Sequence, residues 1–173
     1  MPSAVVMNAV LVGIGLSILL GVFVLGSLRL DATMWVHSYP PDIRARFGPT
    51  PPQARRRRAL LALVVYACVA AILWLAIRRL PTLPGGELTP SQIFVTAWVV
   101  FNVLNLVDLL IIDWFILLTL KPRWMILPGT DATMAGYHNY AYPFRGFLIG
   151  LVITALASTV VTGIALLVTR LTS

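Results

Sequence analysis

The sequence predicts an all-α protein, a four-helix transmembrane bundle, and three observations carry that reading. Four apolar runs are each long enough to cross a bilayer. Hydrophobic residues make up 59% of the 173 residues and charged ones 11%. The basic residues gather in alternate connections between the runs. Crossing about 30 Å of hydrocarbon takes roughly 20 helical residues, and the runs show no period-two alternation, so they read as helices with internally satisfied backbones, not barrel strands.

Taken in order, the first span covers residues 4–28. The N-terminal stretch has no basic region and the apolar run is too long for a cleavable signal, so this span reads as retained. The second span covers 59–77, the third 92–120 and the fourth 146–169, all within one integral membrane domain. Arg29, Arg44, Arg46, the run from Arg55 to Arg58, Lys121, Arg123 and Arg145 fall in connections 29–58 and 121–145, whereas the other side carries Arg78, Arg79 and Arg170. The positive-inside rule then makes 29–58 and 121–145 cytoplasmic and 78–91 an outer loop, with both termini outside. The expected home is a bacterial cytoplasmic (inner) membrane. The outer "PTLPGGELTP" is turn chemistry, where no chemical role is expected.

The formal net charge of +7 would point to nucleic acid in a soluble protein. Here it is explained by membrane orientation, so no nucleic-acid partner is expected. One cysteine, Cys68, excludes a disulfide framework or a cysteine-based metal site within one chain.

Two connections look alike: "DATMWVHSYPPDIR" from Asp31 and "DATMAGYHNYAYPFR" from Asp131. Each continues from Asp-Ala-Thr-Met to a His, a Tyr two residues on, Pro and Arg. A true duplication would make the chain two helical hairpins related by a parallel repeat. Chance is the competing explanation, and the second copy has one extra residue before its His.

The third span holds the most informative segment, "FNVLNLVDLLIIDWF". At about 100° per residue, Asn102, Asn105, Asp108 and Asp113 fall within a sector of roughly 140°, which should face the bundle interior. A carboxylate near the bilayer centre costs at least about 2.5 to 3.5 kcal/mol, so it needs a partner, a proton or water. Asp113, nearer the cytoplasmic end, is expected to pair with Arg29 or Arg145 and to meet Tyr66; Asp108, near mid-span, is expected to be protonated or held by Asn102, Asn105 or a Thr. The alternative is a purely structural hydrogen-bond cluster. Interhelical polar contacts in membranes average under about 1 kcal/mol, a weak motive for two acids.

His37 and His138 are the two histidines, one per repeated loop. With Asp31, Asp42, Asp113 and Asp131 they could in principle bind a divalent metal, but no tight ligand spacing supports this, and no metal or other cofactor is assigned. Both lie outside the spans, which argues against a bis-histidine haem in the bundle. Local turn chemistry is the simpler reading, with Asp131 capping a short helix. Tyr39, Tyr137, Tyr140, Tyr142, Trp35 and Trp124 read as an interfacial aromatic belt, or more sharply as a lipid-headgroup pocket with Arg44 and Arg145. "GPTPPQARRRR" reads as a topology signal in a Pro-rich segment.

Small residues recur every four positions at Gly146, Gly150, Thr154, Ser158 and Thr162, and at Gly13, Ser17 and Gly21. Such stripes let helix backbones approach closely, within one chain or between subunits.

At "WVHSYPPDIR", "DLLIIDWF" and "PGTD" followed by "YHNYAYPFRGF" the chain resembles a family of small bacterial four-span membrane proteins. No activity comes with the resemblance. It implies that His37, Asp113, Asp131, His138 and Arg145 are the residues to test.

The resulting expectation is a non-enzymatic membrane component that binds an ion, a proton or a lipid headgroup at the cytoplasmic end, in contact with membrane lipids and within a homo-oligomer or a complex with another membrane protein. Two alternatives stand beside it. One is an intramembrane enzyme acting on a lipid or isoprenoid, whose catalytic residues the sequence does not assign because it has no nucleophile, phosphate-loop or paired metal-carboxylate motif. The other is an assembly subunit built on the small-residue stripes.

Overall fold

The computed structural model describes residues 1–172, with side chains through Leu171. Among the described residues every regular element is helical. Helix α1 spans Ser3–Leu30, α2 Pro41–Phe47, α3 Pro52–Arg78, α4 Pro90–Val107 and α5 Ala141–Thr172. Beyond Val107, α4 continues without a break as a π-helix over Asp108–Leu120. Short 3-10 turns occupy Ala32–Ser38, Leu80–Thr82, Arg123–Met125 and Ala135–His138. Four helices, Ser3–Leu30, Pro52–Arg78, Pro90–Leu120 and Ala141–Leu171, are long and apolar enough to cross a membrane.

The helices run past the expected spans, and their starts show why. Proline at the first helical position has a fixed φ and no amide to lose, so Pro41, Pro52 and Pro90 each open a helix. Starting α3 at Pro52 instead of residue 59 puts Arg55 to Arg58 on a helix, where arginine has a good propensity. The arginine run is therefore a fixed helical surface, not a Pro-rich tether. Helix α5 likewise begins five residues before the expected span, with Pro143 in its first turn.

The chain divides into two compact units. One comprises residues 1–18, 67–106 and the described residues from 147 on; the other comprises 19–66 and 107–146 and holds both repeated loops. Neither unit is one hairpin of a tandem repeat, because each draws on all four long helices.

In the first unit, Val5, Ala9 and Leu16 of α1, Leu73 and Ile77 of α3, Ile93, Ala97 and Val100 of α4 and Ala165 of α5 are buried. Gly13 lies against Val103: a Cβ there would meet the Val103 Cβ at 2.7 Å. Gly150 lies against Asn105 in the same way, at 2.5 Å from its Oδ1. One residue of each stripe, Gly13 of α1 and Gly150 of α5, thus serves contact with α4, whereas Gly21 and Gly146 face open space. The 78–91 connection is also organised: Gly85 has φ +68°, and Gln92 ties the turn by accepting from the Glu87 amide at 2.8 Å and donating to the Gly85 carbonyl at 3.1 Å.

The core of the second unit is made by its connections. Leu28, Ala32, Val36, Tyr39, Ile43, Met125, Leu127 and Tyr137 form one buried cluster, with Trp35, Trp124, Ile116 and Met134 packed on it. Tyr39 and Tyr137 are 2% and 1% exposed, which moves them from the expected interfacial belt into the core. Their rings meet edge to face at 6.1 Å.

Candidate functional site

The two Asp-Ala-Thr-Met segments form the same local turn. Asp31 Oδ1 accepts from the backbone amide and hydroxyl of Thr33, and Asp131 Oδ1 accepts from the same two groups of Thr133 at 2.8 and 2.9 Å. In both, the Met amide donates to the Asp carbonyl. A short carboxylate side chain reaching two residues forward is the reason Asp suits such turns. The Thr133 bonds also hold the Asp131 carboxyl below its ordinary pKa. Beyond the methionine the copies diverge. The buried partner of Tyr39 is Tyr137, which precedes His138, not Tyr140, which follows it.

Two long-range hydrogen bonds join the connections, from Tyr39 and from Gly136, and a third closes the second connection on itself. Tyr39 Oη donates to the Met125 carbonyl at 2.6 Å, the Leu127 amide donates to Tyr137 Oη at 3.0 Å, and the Gly136 amide donates to Asp42 Oδ2 at 2.7 Å. Gly136 is required by close approach, because a Cβ would strike the Asp42 carboxylate and Ile43. Burial first, then the Tyr137 phenol and the Asp113 carboxylate, push the Tyr39 hydroxyl far above its ordinary pKa. Tyr39 is a hydrogen-bond donor locked into the core, and Asp113 lies within electrostatic reach of it.

Each histidine is engaged by a cation. Arg58 Nη1 is 2.7 Å from His37 Nδ1, and Lys121 Nζ is 2.9 Å from His138 Nδ1. A guanidinium has only donors, so Nδ1 of His37 must be the bare nitrogen, leaving the proton on Nε2, which faces Ser38 Oγ at 3.2 Å. Burial, Arg58 and Arg44, in that order, hold His37 below its ordinary pKa. Its ring stacks on Trp35 at 6.1 Å, and Trp35 is itself held by a bond from Nε1 to Ser27 Oγ. Next to it, Arg57 pairs with Asp31 at 3.4 Å.

The expected intramembrane site is rearranged. Asn105 donates to the Phe147 carbonyl of α5 at 3.0 Å, and Asn102 donates to the Trp98 carbonyl of its own helix at 2.8 Å with Thr154 of α5 beside it, so these two have a structural role in the first unit. Asp108 is exposed, not interior, and neither Asn102 nor Asn105 bonds to it. From Asp108 the helix carries i→i+5 hydrogen bonds, so the 100° projection no longer holds for Asp113. The Lys121 amide bonds the Ile116 carbonyl and the Thr119 hydroxyl bonds the Trp114 carbonyl, both five residues back. Among the described residues Arg29 and Arg145 are exposed and form no ion pair with Asp113, and Tyr66 is 71% exposed on the outer face of α3.

What the structure does bring together, in one unit, is His37, Ser38, Arg44, Arg57, Arg58 and Asp31, with Lys121 and His138 as a second cation–imidazole pair. Sequence reading passed over Arg57, Arg58 and Lys121 as topology markers. The available signal was the position of the arginine run directly after a helix-opening proline. Among the described residues no three metal-capable side chains converge, and a neutral imidazole faced by a guanidinium is a poor place for a metal cation.

Fold and site together define a multi-pass α-helical membrane protein whose second unit has a folded core of connecting loops. Compared with known protein families, curated proteins and solved structures, the chain gives no match.

Proposed function

We propose that this protein is a non-enzymatic component of a bacterial cytoplasmic membrane that binds an anionic group at the cytoplasmic membrane surface. The observation that supports it most is the Arg58–His37 contact, in which a guanidinium and the nearby Arg44 charge converge on a neutral imidazole instead of a carboxylate. Around it, the basic residues of 29–58 and 121–145 form the cytoplasmic side under the positive-inside rule, with both termini outside. Basic clusters at that level attract anionic lipid at about 1 kcal/mol per residue. Asp113 then has no ion pair with Arg29 or Arg145 to build a site on. An oligomer or partner protein is part of the reading.

Native mass spectrometry of protein extracted in mild detergent tests the reading. Retention of an anionic lipid or other anion, at fixed stoichiometry, is the expected result. A constant ratio to a second protein with no bound anion would favour an assembly subunit instead, and turnover of an added lipid or isoprenoid would favour an enzyme.

A further inference from the structure

The geometry points to a phosphomonoester site formed by Arg44, Arg58, His37 and Ser38, in which the phosphate takes the guanidinium of Arg58 away from His37. This inference rests on the anion-binding reading and names its ligand chemistry.

Three elements bring the groups together. Arg44 lies in the last turn of α2, Arg58 in the second turn of α3, and His37 and Ser38 end the 3-10 turn between α1 and α2. The imidazole is held from behind by the Trp35 ring, whose own Nε1 is bonded to Ser27, so the site is largely pre-set. The charges acting on His37 are Arg58 and Arg44, both positive. The neighbouring acid, Asp31, is committed to Arg57 and to the Thr33 turn. The Arg58 guanidinium thus sits on a group that can accept only one weak hydrogen bond, with the positive charge of Arg44 also acting there. A phosphomonoester brings about −1.5 to −2 charges and three acceptor oxygens, and arginine matches those oxygens in pairs.

The exchange has a proton consequence. Once Arg58 turns to phosphate, Nδ1 of His37 is bare and faces an anion, so it takes up a proton and becomes a further donor while Nε2 keeps its contact with Ser38. Binding is therefore coupled to proton uptake and tightens as pH falls. The level is that of headgroups: Arg58 is half-buried, and Leu60, Leu63 and Val64, just beyond it on α3, are exposed apolar residues at the start of the hydrocarbon-facing surface.

The test follows the His37 ring resonances by NMR through a pH titration of the full chain in nanodiscs. The discs are made of phosphatidylcholine alone, or with phosphatidic acid or phosphatidylglycerol added; the phosphatidylcholine discs are also titrated with inorganic phosphate. The expected result is an upward shift of the His37 pKa by about one unit with phosphatidic acid, absent in the double variant Arg44→Gln, Arg58→Gln. A shift with phosphatidic acid alone identifies a lipid headgroup, and a shift with inorganic phosphate as well identifies a site open to soluble phosphate compounds. An equal shift with phosphatidylglycerol overturns the monoester assignment, and no shift in any disc overturns the site. The His138 resonances report whether the double variant keeps its loop fold; should it not, Ser38→Ala, which removes no charge, is expected to keep the shift and weaken it. If the double variant still retains anionic lipid in native mass spectrometry as the parent does, this site fails and the broader reading stands. If the parent retains none, both fail.

Discussion

Tyr39 shows how much one polar atom does in the loop cap. Its hydroxyl is buried and donates to the Met125 carbonyl across 86 positions of sequence. Tyr39→Phe leaves that carbonyl buried without a partner, which costs roughly 1–3 kcal/mol. Thermal unfolding in detergent should show a clear loss of stability, whereas Tyr66→Phe, on an exposed ring, should be silent. His37 predicts a pH effect whose sign follows from its lowered pKa. The folded state binds that proton less readily than the unfolded chain, so the stabilising contribution is full above about pH 6.5 and is lost as pH falls through the folded value. Without bound phosphate, the parent should lose more melting temperature than His37→Gln between about pH 7.5 and about pH 5; equal losses would sink the Arg58–His37 pairing. Both histidines were visible in the sequence as singular residues. Their partners were not, because Arg58 and Lys121 are 21 and 17 positions away and only folding chooses among ten basic residues.

At the scale of elements, α4 decides where polar groups go. Over its α-helical part the sequence periodicity is reliable: Asn102 and Asn105 do face α5, as a stripe at helical spacing should. Beyond Asp108, which is itself exposed, the wider π turn changes the facing of the residues that follow, Asp113 among them. Lys121 ends the segment in the left-handed region at φ 46°, a conformation costly for a residue with a Cβ, by about 1–2 kcal/mol. The contact of Gly150 with Asn105 yields a prediction about helix packing. Gly150→Leu drives the side chain into Asn105 and breaks its bond to the Phe147 carbonyl. A loss of a few kcal/mol in unfolding free energy is expected, by overpacking plus a lost hydrogen bond. Adding Asn105→Ala should recover part of it. Non-additivity of that sign in a double-mutant cycle identifies an intrachain contact; full additivity would mean that the stripe serves some other surface.

For the whole molecule, orientation is the property that everything else depends on. With Cys68 changed to Ser, cysteines introduced at Gln53 and Glu87 should react with a membrane-impermeant maleimide from opposite sides of the membrane, Glu87→Cys from outside intact cells and Gln53→Cys after the membrane is opened. Labelling of both from one side would overturn the topology and with it the cytoplasmic placement of the basic cap. The sequence by itself determined the class, the number of spans and the expected orientation, because each depends on quantities that add along the chain: apolar length against bilayer thickness, and the count of basic residues on either side. The repeated Asp-Ala-Thr-Met string was visible too, but that Asp31 and Asp131 close the same turn on Thr33 and Thr133 is a finding of the structure. Only the tertiary structure decided that Tyr39 and Tyr137 are core and not belt, that Asp113 has no arginine partner, and that the arginine run meets a histidine. Those outcomes depend on which distant segments pack together and on a change of helical pitch inside α4, and neither is written in local spacing.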